Sequence, residues 1–165
     1  MNKFNKSGNS GFTIIELMIV VSIIAFLATV SIPRYFNYYA KAKQAEVAMN
    51  LASLHTAQEA YFAEHGEYCA KLSGPDGIGW QPQGYKGGGE QENFYYTYGF
   101  NCEGAQEGIN YFTGKLKTPK ENLGNTYASK TEFLASAAGD VTGKKVYDIW
   151  QIDQDRNLKN TNKGI

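Results

Sequence analysis

Histidine and cysteine are scarce, with two of each in 165 residues. Neither cysteine belongs to a CxxC pair, and His55 and His65 both precede Cys69 without metal-finger spacing, so zinc is a poor reading. There is no GxSxG, no glycine-rich phosphate loop followed by Lys and Ser, and no Cys set beside a His in a catalytic arrangement, so no enzyme is expected. Net charge is also missing, because 16 Lys and Arg balance 16 Asp and Glu. That removes the basic face which would make nucleic acid a default partner. No internal repeat is present.

The most informative absence is of charge between residues 12 and 32. These are about 21 residues, enough to span a bilayer as a helix, and they contain no Lys, Arg, Asp or His. Glu16 is the single charge. An acidic side chain deep in such a helix costs roughly 2.5 to 3.5 kcal/mol, so Glu16 requires a partner. The preceding "MNKFNKSGNSG" carries Lys3 and Lys6 and no acid, and its Ser, Asn and Gly would not hold a helix. An ordinary secretory signal would be cut after the apolar stretch, where "AFLATVS" is a poor small-x-small site. A plain anchor leaves Glu16 without a cation. A cut after Gly11 instead frees the amino group of Phe12, four residues and about one helical turn before Glu16. The first turn of a helix also favours negative charge through its exposed N–H groups.

The string Gly11-Phe12-Thr13-Ile14-Ile15-Glu16-Leu17 resembles the class III signal of type IV pilins and pseudopilins, and Pro33 matches the proline that in that family kinks or locally melts the helix. The resemblance is sharp from residue 12 to about 64. It implies a leader over residues 1–11, cleavage between Gly11 and Phe12 by a prepilin peptidase, and N-methylation of Phe12. It also implies a role for Glu16 and Pro33 in filament assembly. By the same resemblance the chain would self-assemble with other pilin subunits through an inner-membrane assembly platform. It would reside in the inner membrane with its head in the periplasm before assembly, and in an extracellular filament serving adhesion, motility or DNA uptake afterwards.

Beyond Pro33 the pattern is amphipathic. Val47, Leu51, Leu54, Ala57 and Tyr61 recur at spacings of three and four, so the helix is predicted to run to about Glu64, with Gly66 as its stop. His55 reads as a helix-surface residue beside this stripe. From Cys69 to Gln91 the chain is loop-like, rich in Gly and Pro, with Trp80 as its large anchor. Strand signals follow at 93–100, 109–114, 133–141 and 145–153. In the last, Asp148 shares a face with Val146, Trp150 and Ile152, and the alternation is imperfect. The expected fold is α+β: a transmembrane or filament-core helix over 12–33, an amphipathic helix half over 34–65, and a small antiparallel β-sheet head over 66–165, the pilin fold.

Cys69 and Cys102 are candidates for a disulfide, which would close a loop of about 33 residues and stabilise by roughly 3 to 4 kcal/mol in an oxidising compartment. Two unrelated buried thiols are the alternative. Asp153, Asp155 and Asn157 alternate as at the opening of a calcium loop, but Leu158 and Gly164 stand where a full loop needs Gly and Glu, and a polar turn needs Asp and Asn without metal. No cofactor is expected, with calcium at these three residues as the alternative. Two further roles compete with a pilus subunit. One is a pseudopilin of a type II secretion system. The other is an anchored binding module displaying Tyr85, Tyr95, Tyr96 and Tyr98, although strand aromatics more often pack a sheet.

Overall fold

The computed structural model describes residues 11–164. The expected leader therefore lies outside the described residues except for Gly11. The chain divides between Tyr38 and Tyr39 into two compact units, and one helix, α1 (Ile14–His65), supplies residues to both.

In the first unit α1 is apolar on all sides, its large side chains are exposed, and the helix is long and apolar enough to cross a membrane. Ser22 and Thr29 do not interrupt this surface. Their hydroxyls donate to the carbonyls of Met18 (2.7 Å) and Ala25 (2.8 Å), so neither brings an unsatisfied donor into an apolar medium. The helix also runs unbroken through residue 33. The local melting implied by the family resemblance is thus not present: proline removes one backbone donor, and the turns on either side hold. The side chain of Pro33 lies outside the described residues.

In the second unit α1 is a packing element. Val47, Leu51 and Leu54 are wholly buried, as the spacing predicts, each contributing about 1.5 to 3 kcal/mol of apolar burial. The helix ends at His65, where Gly66 adopts φ 73° and its N–H returns to the Phe62 carbonyl at 2.8 Å, a left-handed cap that glycine takes without strain. Against this helix half lies an antiparallel sheet of six short strands: β1 (Thr97–Gly99), β2 (Tyr111–Phe112), β3 (Tyr127–Ala128), β4 (Phe133–Gly139), β5 (Asp148–Asp153) and β6 (Leu158–Asn162). The order is β2-β1-β4-β5-β6, with β3 pairing β4 off this path. The long loop after the helix covers the core through Trp80, which is 6% exposed, stands edge-on to Tyr98 and Phe112, and donates its indole N–H to Ser53 at 2.9 Å.

Several expectations need correction. Strand β5 begins at Asp148 rather than at 145, leaving Val146 exposed outside it, and β3 and β6 carry no apolar alternation that would have revealed them. Tyr96 and Tyr98 are not a display surface: both are completely buried, and Tyr85 and Tyr95 are half-buried. His55 is buried rather than on the helix surface, with its ring against Phe133 and its Nε2 3.0 Å from the Gln154 carbonyl.

Candidate functional site

The start of α1 is where the sequence placed its chemistry. Gly11, Phe12 and Thr13 lie outside the helix and are exposed, so the Gly11 to Phe12 peptide bond sits in accessible backbone. Thr13 precedes the first helical residue, Ile14, and Glu16 is the third. Oε2 of Glu16 accepts the Thr13 N–H at 2.9 Å and the Thr13 hydroxyl at 2.7 Å, while Thr13 Oγ1 accepts the Glu16 N–H at 3.3 Å. This is a capping box, in which a threonine and a glutamate three positions on satisfy the donors at the helix start. The sequence signal for it, Thr-x-x-Glu before an apolar run, is present at 13–16, and the partner of Glu16 in the structure is the uncharged Thr13 rather than a cation. The second oxygen of Glu16, Oε1, takes no hydrogen bond among the described residues.

The other candidates lie apart from this site in the chain. Cys69 and Cys102 are unbridged in the structure. Cys69 is engaged locally: its sulfur accepts the Lys71 N–H at 3.4 Å and faces the Asp76 carbonyl at 3.8 Å. Cys102 packs against the rim of the hydrophobic core. Asp153, Asp155 and Asn157 do come together, as the turn joining β5 to β6. Oδ1 of Asp153 accepts the N–H groups of Asp155 (3.1 Å) and Asn157 (2.9 Å), Oδ2 accepts the Asn157 amide (3.1 Å), and Arg156 closes the turn at φ 61°. Burial pushes the Asp153 carboxyl up, and the bonds from Asn157 and Asp155 outweigh it and hold it below its usual range. Both Asp153 oxygens accept N–H donors and Asn157 presents its amide nitrogen to Oδ2, the bonding of a polar turn that holds itself without metal. No group of three His, Cys, Asp or Glu side chains is placed to hold a metal ion among the described residues.

Comparison with known proteins decides the family. Residues 6–32 match the model described as the prokaryotic N-terminal methylation motif. Similarity extends well beyond that motif: the type IV major fimbrial protein FimA of Dichelobacter nodosus is 33% identical over 132 residues, which cover 80% of this chain and 78% of that protein. The chain belongs to the type IV pilin family. The type IV major pilin protein PilA of Myxococcus xanthus is 47% identical over 68 residues, and the prepilin peptidase-dependent protein D of Escherichia coli 41% over 68. Those two matches cover 41% of this chain in each case, and only 30% and 47% of the respective relatives. Type IV pilins are structural subunits and not enzymes, and the pilus and fimbrial names of these relatives do not favour the pseudopilin reading.

In this pilin two carboxylates tie the head to α1, the wholly buried Asp148 and the half-buried Glu46, and the partners of neither were anticipated from the sequence. Asp148, wholly buried at the start of β5, accepts hydrogen bonds at Oδ2 from the Tyr96 hydroxyl (2.7 Å), the Trp150 indole (2.7 Å) and Gln44 of α1 (3.0 Å). Its Oδ1 accepts from Asn160 (2.9 Å) and the Gly164 N–H (3.3 Å). Burial pushes its carboxyl up, and the bonds from Tyr96, Asn160, Trp150 and Gln44 outweigh that and hold it below the usual range. Glu46 of α1 accepts the Tyr98 hydroxyl (2.7 Å) and the Tyr95 N–H (3.0 Å). There burial wins over the bonds from Tyr95 and Tyr98 and the charge of Lys115, and the carboxyl is raised. The signal available in the sequence was the broken alternation at Asp148: a charge on an otherwise apolar strand face. Gln58 adds a third clamp by exchanging two hydrogen bonds with the backbone of Cys69, at 2.6 and 3.1 Å. All three fix α1 to the head that it carries.

Proposed function

We propose that this chain is a structural subunit of a type IV pilus, cut between Gly11 and Phe12 by a prepilin peptidase, methylated on the new Phe12 amine, and assembled into an extracellular filament from the inner membrane. The observation that carries this reading is the geometry of Glu16, whose Oε2 closes the capping box with Thr13 while Oε1 takes no partner among the described residues. Hydrolysis of the Gly11 to Phe12 bond leaves a carboxylate on Gly11 and an amine on Phe12, about one turn from Glu16. That amine, on the same or a neighbouring chain, is the cation for the free oxygen. Apolar burial between the N-terminal helix halves supplies most of the cohesion, and the charge pair excludes wrong registers, since an unpaired charge in that core is expensive. Pro33 remains an assembly residue in this reading, and the assembly platform the partner before incorporation.

The test is intact mass and N-terminal sequence of the protein from cells that express a prepilin peptidase, together with Glu16→Ala. The expected product begins at Phe12 and carries one added methyl. The variant is expected to be processed normally and lost from sheared filaments. A chain still beginning at Met1, or wild-type filament yield in the variant, would overturn the reading.

A further inference from the structure

Charge in the head is sorted between its two ends, although the chain as a whole is neutral. At the end where β5 begins, Lys41 and Lys163 line a cleft of about 340 Å³ with Gln44, Trp150 and Asn160. The turn that leaves β4 and returns to β5 at Asp148 adds exposed Lys144 and Lys145 at the same end. The carboxylates of this end are withdrawn: Asp148 is buried, and Asp140 turns Oδ2 back to the Lys145 N–H at 2.9 Å. None of these lysines forms an ion pair among the described residues.

At the opposite end α1 stops and exposed carboxylates prevail, although Lys130 is exposed there too, next to Ser129, whose carbonyl takes the Tyr68 N–H. Glu64 lines a cleft of about 540 Å³ with Tyr61, His65 and Ile78, and Glu67 follows just beyond the helix, exposed. Lys71 is nearby but is matched by Asp76 at 3.5 Å. Between Lys41 and Glu64 the helix rises about 35 Å, several times the screening length at physiological salt, so the two ends act as separate poles.

We propose that the head docks on a second copy of itself end to end, the Lys41 and Lys163 cleft of one copy receiving the Glu64 and Glu67 end of the next. The proposal rests on the filament reading above. Like charges oppose a two-fold pairing of either end with itself, and only the opposite ends attract. A contact between two different patches is heterologous, and such contacts propagate as an open helical array rather than closing into a dimer. Subunits that share one direction of α1 along a filament bring these two ends together. The rim charges thereby choose the neighbour and its register, while burial elsewhere supplies most of the affinity.

The test is charge reversal in the full-length chain, read as filament mass sheared from cells against protein retained in the membrane fraction. Lys41→Glu with Lys163→Glu, and separately Glu64→Lys with Glu67→Lys, are each expected to lower filament yield by about tenfold or more, since like charges then face each other. All four changes together are expected to restore it. If the reversed proteins fail to accumulate, Lys41→Gln with Lys163→Gln carries the test, with a partial loss expected. Wild-type filaments accompanied by unchanged yield in the reversed variants would overturn the contact and leave the filament reading standing. Losses in both pairs without recovery in the fourfold variant would overturn the complementarity. No filament from the wild-type chain would remove the reading on which the contact rests.

Discussion

Replacing Asp148 tests whether the head is fixed to α1 by a buried charge. In Asp148→Ala five donors lose their acceptor, and one of them, the Tyr96 hydroxyl, belongs to a side chain with no exposure at all. A buried donor left unsatisfied costs about 1 to 3 kcal/mol. Trp150, Gln44 and Asn160 are half-buried and recover part of their loss from water. The expected destabilisation is therefore about 3 to 5 kcal/mol, well short of five full penalties and comparable to breaking a buried charged network. That is a large share of the roughly 5 to 15 kcal/mol that holds a domain folded. The assay is urea unfolding of a fragment beginning at Tyr39, the compact unit of the head, followed by tryptophan fluorescence. Asp148→Asn keeps the volume and one acceptor oxygen, and should fall between wild type and the alanine variant. The gap also has a required pH dependence. Because the folded carboxyl is held below its unfolded value, its contribution is present above about pH 4 and is lost as the pH falls through the folded pKa. A destabilisation under about 1 kcal/mol at neutral pH, or a gap that does not shrink on acidification, would refute the reasoning.

Glu46 should behave in the opposite sense. Its folded carboxyl is raised by burial, so its contribution is present below the unfolded value and lost as pH rises through the folded one. Glu46→Gln keeps an oxygen for Tyr98 and Tyr95 without the half-buried charge. Its stability relative to wild type should rise between about pH 4 and pH 7 in urea titrations, and a fall over that range would contradict the assignment. For Cys69 and Cys102, alkylation of the unfolded chain without reductant should add two groups by intact mass, since both are unbridged in the structure. A chain that takes up none, and takes up two only after reduction, would show that they pair.

The helix and the membrane-length apolar run were legible because period and length speak directly: Val47, Leu51 and Leu54 fell on the buried stripe, and Gly66 took the left-handed cap. The sheet was legible only in part. Strands β4 and β5 carry enough apolar and aromatic residues to be seen, whereas β6 (Leu158–Asn162) reads as polar because it pairs on one side only, with β5, and β3 is two residues long. Burial of Tyr96 and Tyr98 could not be read from composition, because a tyrosine in a core needs a hydroxyl partner, and those partners, Asp148 and Glu46, are about 50 residues away in the chain. Both ends of each bond had to be placed before either residue made sense.

At the helix start the sequence offers Glu16 an uncharged partner as well as a cation. A lone glutamate in an apolar run demands a partner, and charge alone points to the Phe12 amine. Thr13, uncharged and adjacent, already satisfies one carboxylate oxygen in the uncut chain. The two roles do not compete on the proposed reading. The capping box uses Oε2, holds the side chain against the first turn, and keeps Glu16 from needing a cation before processing. Cleavage then adds a charge that the remaining oxygen can accept. A glutamate tied down in this way presents its free oxygen in a fixed direction, which lowers the conformational entropy lost when a partner binds. Thr13 is on this argument a positioning residue for Glu16. Its loss should weaken register selection in the filament more than it weakens the helix, whose cap is worth only about 1 kcal/mol.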